Sequence, residues 1–427
     1  MNRLLPPFIA LICSATAFAE PLDPLFAGEN LWSQNQDQFM AAAKTLGFEW
    51  TSPTRDSARV ARPDMTVFGL PAVESIARFD GNALKEMSVF FYARGDVGDW
   101  PEAKFDALVL GVAERLNQAT KSKFVVRGKD PTSAVKAEGL VWATDKARYL
   151  LEYSKTKEVK TRGIPFRAEF VRLSVTAPER NQGLLASVSS GKPARFSGVA
   201  HVKRDAASGD VWIPDVPMVD QGQKGYCVVA STERVMRYYG SSVDQQELAQ
   251  VANTSSGGGT SSDAMVEALK KLGARLKVRV REVEKCDLRD ILKLMADYNR
   301  AAKKADAPLI PEQGNMIDLG AIYSAMDVKV LKELRTKNKA DLGRFQRSVQ
   351  AHINEGTPLL WTVMLGKVPE PGIPQNAGGH MRLIIGYNPK TEEILYSDSW
   401  GAGHELKRMA ASDAWTITTG TMSIEPF

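Results

Sequence analysis

Hydrophobic and polar positions change rhythm along the chain, and the changes predict its elements. Val73–Phe79 and Leu84–Arg94 alternate on either side of Asp80-Gly81-Asn82, the pattern of a β-hairpin. A short helix is expected over Gln38–Leu46, stopped by Gly47. A stronger one follows Asp99, its predicted cap, and sets Phe105, Leu108, Val109, Val112 and Leu116 on one face. Strand patterns recur at Gly139–Thr144, Ala147–Ser154 and Arg167–Thr176. Residues 20–177 therefore read as an α+β domain, a helix packed on an antiparallel sheet. Its aromatic and Met residues sit at core spacing, and no catalytic grouping stands out. Periodicity stops over 178–205, a stretch rich in Ser, Gly, Ala, Arg and Lys that reads as a linker. It is long enough to let the first domain fold back over a second, as a shield or to present substrate.

That second domain is expected over 206–427. Val211–Pro217 is extended and twice interrupted by proline, and Gly222 and Gly225 then permit a tight turn. From Cys227 the period becomes helical, with Val229, Thr232, Met236 and Tyr239 on one face and Gly240 as the stop. A glycine-rich loop, Asn253–Thr260, leads to a helix capped by Ser262 or Asp263 that carries Met265, Val266, Leu269 and Leu272. Residues 286–356 read as mostly helical, the last helix aligning Phe345, Val349 and Ile353 before Gly356. Leu359–Leu365 is a fully apolar strand. Met381–Tyr387 is another, turning at Asn388-Pro389 and returning through Ile394-Leu395-Tyr396 to Asp398.

Charge adds little to this picture. Fifty-five basic and fifty acidic residues are interspersed over 427 positions, with no long basic block, so a nucleic-acid partner is not expected. The first residues matter more. Arg3, the apolar run Leu4–Ile12 and Ala17-Phe18-Ala19 make residues 1–19 a secretory signal peptide, and no later segment approaches eighteen apolar residues. An exported protein, periplasmic or extracellular and without an integral membrane segment after signal removal, is expected. Of three cysteines, Cys13 falls in the leader, and Cys286, between a strand pattern and a helix pattern, reads as an unpaired core thiol.

That leaves Cys227. At a helix N-terminus the macrodipole favours thiolate and lowers the pKa from roughly 8.5, although a buried structural thiol would fit the same stretch. Gln221 could return its side-chain amide to this point and, with the Cys227 N–H, stabilise an oxyanion. The hairpin places His380 and Asp398 at the same end of two paired strands, and a carboxylate beside a histidine fixes its tautomer and supports its protonated form. His404 is a competing base, whereas His201 reads as an exposed linker residue and His352 as structural. Gly258, Gly259 and Gly379 are candidate substrate-binding positions, because glycine lets another backbone come close.

With these residues in hand, the segment from about 211 to the C-terminus resembles the papain-like cysteine peptidases. Within them it is most similar to the bacteriocin-processing, or double-glycine leader, peptidase relatives, family thirty-nine. The likeness is carried by Val216-Pro217, Gln221, Cys227, Arg234–Gly240, Gly378-Gly379-His380, Gly386-Tyr387 and Asp398–Gly401. It implies Gln221 as oxyanion donor, Cys227 as nucleophile, His380 as general base and acid, and Asp398 as orienting residue. Gly258-Gly259 resembles the papain glycine pair that binds substrate backbone. Tyr226 precedes the cysteine, no Trp follows it, and the neighbouring papain disulfide cysteine is absent, so pocket shape does not transfer. The expected function is hydrolysis of peptide bonds in a peptide or protein through an acyl-thioester, with no metal or cofactor. Another thiol acyl transfer (transamidation or peptidoglycan amide cleavage) and a non-catalytic papain-fold binding protein are the alternatives.

Overall fold

The computed structural model describes residues 20–27, 31–127, 134–158, 161, 163–178, 196–222, 225–241, 243–254, 259–312, 317–373 and 378–427. The expected leader, most of the expected linker and Gly258 lie outside the described residues.

An eight-stranded sheet organises the N-terminal region. Its order is Glu49–Trp50, Ser57–Val60, Glu74–Asp80, Ala83–Ala93, Arg167–Thr176, Arg148–Thr156, Glu138–Ala143 and Val125–Val126, antiparallel throughout. Strand alternation gives this sheet two unlike faces. Ala77, Phe79, Met87, Val89, Val171, Leu173 and Val175 point into one core, closed by Phe105, Val109, Val112 and Leu116 of the helix Glu102–Thr120. Each such large side chain buried is worth about 1.5–3 kcal/mol. The expected cap is corrected here: Pro101 is the cap residue, its carbonyl accepting from Lys104 and Phe105, while Asp99 is drawn to Arg94 Nε at 2.9 Å.

The opposite face of the sheet carries Arg59, Glu74, Arg78, Glu152, Ser154 and Arg172. It packs on two helices of the C-terminal region, Cys227–Tyr238 and Gln245–Val251. Arg172 pairs with Asp244 and Glu247, and Ser154 Oγ donates to Gln250 Oε1 at 2.7 Å. This contact explains a helix that opens Gln245-Gln246-Glu247 and is nevertheless buried there.

The C-terminal sheet runs Lys203–Arg204, Val211–Trp212, Gly378–Asn388, Leu359–Leu365, Thr418–Pro426 and Val278–Lys285, again antiparallel. Glu393–Ser397 pairs with Gly378–Asn388 and with Lys407–Ala410. The strand Leu359–Leu365, apolar except for half-buried Thr362, is covered on both faces. Val229, Val235 and Met236 of the Cys227 helix pack with Leu360, Met381, Leu383 and Ile385 on one side. Phe345, Val349 and Ile353 pack with Leu359, Trp361, Val363 and Ile384 on the other.

Residues 196–205, expected to be linker, are held against this second region. Phe196 packs edge-on against Tyr238 and Tyr239, with ring centroids 4.9 Å apart in both pairs, and Lys203–Arg204 join the sheet. Ser261, rather than Ser262 or Asp263, caps its helix by accepting from the Ala264 N–H. The fold class is α+β, and no described helix is long and apolar enough to cross a membrane.

Candidate active site

The helix beginning at Cys227 points its N-terminus at one end of the hairpin formed by Gly378–Asn388 and Glu393–Ser397. Register is set by the pairing of Leu383 with Ser397. Three residues before the first and one after the second, His380 and Asp398 meet: His380 Nε2–H donates to Asp398 Oδ1 at 2.7 Å. The contact leaves Nδ1 as the ring nitrogen for the thiol, and Cys227 is hydrogen-bonded to His380. His380 and Asp398 are buried, while Cys227 is half-buried.

Electrostatics at these three groups oppose burial. Desolvation disfavours the Cys227 thiolate, yet the His380 hydrogen bond and charge, with backbone N–H groups at Met381 and Val228, hold the thiol below its ordinary value. Burial likewise disfavours the His380 imidazolium, and Asp398 and Cys227 raise its pKa regardless. Desolvation pushes the Asp398 carboxyl up, whereas His380, Arg382 and His404 bring it below the usual range. A lowered thiol and a raised imidazole favour a thiolate–imidazolium pair.

Gln221 comes to the same end of the hairpin. Its N–H donates to Ser399 O at 2.8 Å, and its Oε1 accepts from Ser399 Oγ at 2.7 Å. The side-chain amide is thereby oriented with its nitrogen away from Ser399. Gly259, at φ +70°, lies so close to the turn before the cysteine that a Cβ on it would be 2.7 Å from Gly225 O. At Gly379, by contrast, an added Cβ would meet no described atom within 4 Å.

Of the other histidines, His404 lies beside the site, whereas His352 and His201 bond and stack elsewhere. His404 turns its ring toward Trp400 and accepts at its backbone carbonyl from the Asp398 N–H at 2.9 Å. The Nδ1 of His352 bonds to Ser348 O within its own helix, and His201 stacks on Phe196.

Several supporting residues have no role in the sequence reading, although Arg234 and Trp400 fall within the motifs that carry the resemblance. Trp400 stacks on His380 at 4.3 Å and 5°. Arg382, fully buried, reaches Glu370 Oε2 at 2.8 Å and lies 3.3 Å from Asp398 Oδ1, while Tyr396 donates to the same Glu370 oxygen. Arg234 donates to Pro217 O, Asp398 O and Ser397 Oγ, fastening the Cys227 helix to the Asp398 strand end. The available signal was a charged residue inside an otherwise apolar strand, Met381-Arg382-Leu383-Ile384-Ile385, since an interior arginine needs partners.

Both described cysteines are free. Cys286 is pushed up by burial despite nearby Arg335. Limiting iodoacetamide at about pH 6, below the ordinary thiol pKa of roughly 8.5, is therefore expected to label Cys227 and spare Cys286. Peptide mapping of the adduct checks this, and preferential labelling of Cys286 would reverse the assignment.

Residues 213–423 match the Peptidase C39 like family. No curated protein matches the sequence. Among solved structures the chain is similar to the peptidase domain of Streptococcus ComA, described as a bifunctional ABC transporter involved in a quorum-sensing pathway. Identity is 15% over 50% of this chain and 99% of that one, with a TM-score of 0.25. It is also similar to xylellain, a cysteine protease from Xylella fastidiosa, at 13% identity over 54% of this chain and 89% of that one, with a TM-score of 0.26.

Proposed function

We propose that the chain, whose residues 213–423 match the Peptidase C39 like family, is a cysteine peptidase that hydrolyses peptide bonds through Cys227, His380 and Asp398, with an acyl-thioester intermediate. The observation that carries this reading is that His380 is hydrogen-bonded both to Cys227 and, through Nε2, to Asp398.

The Cys227 thiolate attacks the peptide carbonyl carbon, and the carbonyl electron pair moves to oxygen. The Cys227 N–H and the Gln221 amide donate to that oxygen. Collapse expels the amine, which takes the proton from His380 Nδ1 and leaves the acyl group on sulfur. His380, now neutral, accepts a proton from water as the water attacks the thioester. The acid leaves, and the thiolate and imidazolium are restored. Asp398 receives the Nε2–H throughout, keeping the ring oriented and its charged form favoured. Gly259 and Gly379 are assigned to the substrate backbone, and the leader-like residues 1–19 support export.

The reading is tested by incubating the protein with a peptide library and identifying new termini by mass spectrometry. Asp398→Asn can still accept from His380, and Arg382 keeps Glu370 as its partner. A hydrogen bond to a charged group is worth about 1.5–3 kcal/mol, so Asp398→Asn is expected to retain roughly 10- to 150-fold more kcat/KM than Asp398→Ala. Absence of cleavage by the native protein contradicts the function, and full activity in both variants removes Asp398 from it.

A further inference from the structure

The N-terminal region reaches the candidate site from the side, through residues that flank its functional groups. Arg59, on the strand Ser57–Val60, pairs in its own sheet with Glu74 and extends Nη1 to Asp220 Oδ2 at 2.9 Å. Asp220 immediately precedes Gln221. Its other oxygen, Oδ1, accepts from Gly222 N–H at 2.8 Å, closing a turn around Gln221. Space at this point is tight: a Cβ on Gly222 would lie 3.0 Å from Arg59 Nη2, and one on Gly401 would lie 3.1 Å from Asp220 Oδ2. A second contact falls beside Cys227. A Cβ on Gly95 would enter the ring of Tyr226, the residue that caps the Cys227 helix. Next to it, Arg94 donates to Thr254 O, and Thr254 Oγ1 bonds to Thr260 Oγ1 at 2.6 Å, gripping the loop that carries Gly259.

We propose that the N-terminal region is a fixed brace for the oxyanion side of the site and that Arg59 is its positioning residue, acting through Asp220 on Gln221. Arg59 touches no reacting atom. Its local charge already has Glu74, so the reach to Asp220 has its consequence in the other region. Turns are the parts of a protein with least local stability, and an oxyanion donor contributes only while held close to its productive position. Removing one such donor costs about 10²–10³ in rate, so loosening it should cost a part of that.

The inference rests on Gln221 and Cys227 having the roles proposed above. Two probes on the full chain separate the cases. With para-nitrophenyl acetate, the Cys227 thiolate adds to the ester carbonyl, an oxyanion forms, and para-nitrophenolate leaves as the acetyl-thioester is made. With iodoacetamide, sulfur displaces iodide and no oxyanion forms. Arg59→Ala is expected to slow acetylation of Cys227 roughly 10- to 100-fold, leaving the alkylation rate and its pH dependence within about twofold. Arg59→Lys, which keeps a charge able to reach Asp220, should recover part of the loss. Asp220→Asn should reproduce it, and supplies the test if Arg59→Ala does not fold. The double variant should be no slower than the slower single one. Unchanged acetylation in both single variants, or acetylation and alkylation falling in parallel, overturns the brace. Failure of the native protein to be acetylated on Cys227 overturns instead the function on which it rests.

Discussion

Cys227→Ala is expected to hydrolyse peptides at least about 10⁴-fold more slowly than the native protein, the scale on which a catalytic triad loses activity with its nucleophile. The thiol sits at a helix N-terminus, bonded to His380, with its pKa drawn down against desolvation. Cys286 has the opposite bias, a thiol pushed up by burial, and cannot replace it. His380→Ala should be comparably inactive for a distinguishable reason. It removes the bond and charge that favour thiolate, so alkylation of Cys227 should require higher pH in that variant. Steady-state hydrolysis of an identified cleavable peptide, compared with the pH profile of alkylation, checks both expectations. Activity retained in Cys227→Ala would place the nucleophile elsewhere.

The largest loss of stability is expected for Arg382→Met. Arg382 is fully buried between Glu370 and Asp398, stacked over the Tyr396 ring at 4.6 Å. Burial alone would lower its pKa, yet the two carboxylates raise it, and the cation remains charged. Methionine fills much of the space, takes the cation from buried Glu370 and leaves Asp398 with His380 alone. Breaking a buried pair in this way costs about 3–5 kcal/mol, measurable as a shift in the urea midpoint at constant slope. A second substitution, Glu370→Gln, should restore part of the loss. Asp398 adds a pH signature. Its folded pKa is depressed, so its contribution is complete above an unfolded value of about 4 and is lost as pH falls through the depressed folded value. Arg382→Met should narrow the difference between the folded and unfolded values and shrink that acid-side change. A midpoint unchanged by Arg382→Met would mean that the buried pair does not support the site.

Much of the hairpin was legible because its signals are local. Leu359–Leu365 is apolar except for Thr362, glycine and proline punctuate its neighbours, and strand pairing alone implies that His380 and Asp398 share an end. Helix starts are less legible. Asp99 is a good cap residue by type, but Arg94, distant from it in role and invisible as a partner in a one-dimensional pattern, takes its carboxylate. The polar face of the N-terminal sheet was the larger omission. Arg59 and Arg172 alternate with apolar residues as solvent-facing side chains do, yet their partners Asp220, Asp244 and Glu247 lie in the other region. Periodicity shows that a face is polar, not what covers it. The buried helix start Gln245-Gln246-Glu247 is the complement of that face and was hidden for the same reason.

Under the proposed mechanism, peptide bond cleavage passes through an acyl group on Cys227. Rapid acid quenching during turnover of a peptide ester, followed by proteolysis and mass spectrometry, addresses it directly. The peptide's acyl portion is expected on Cys227, released by neutral hydroxylamine as a thioester is, and absent from Cys227→Ala. Turnover with Cys227 unmodified, or with the acyl group on another residue, would contradict it.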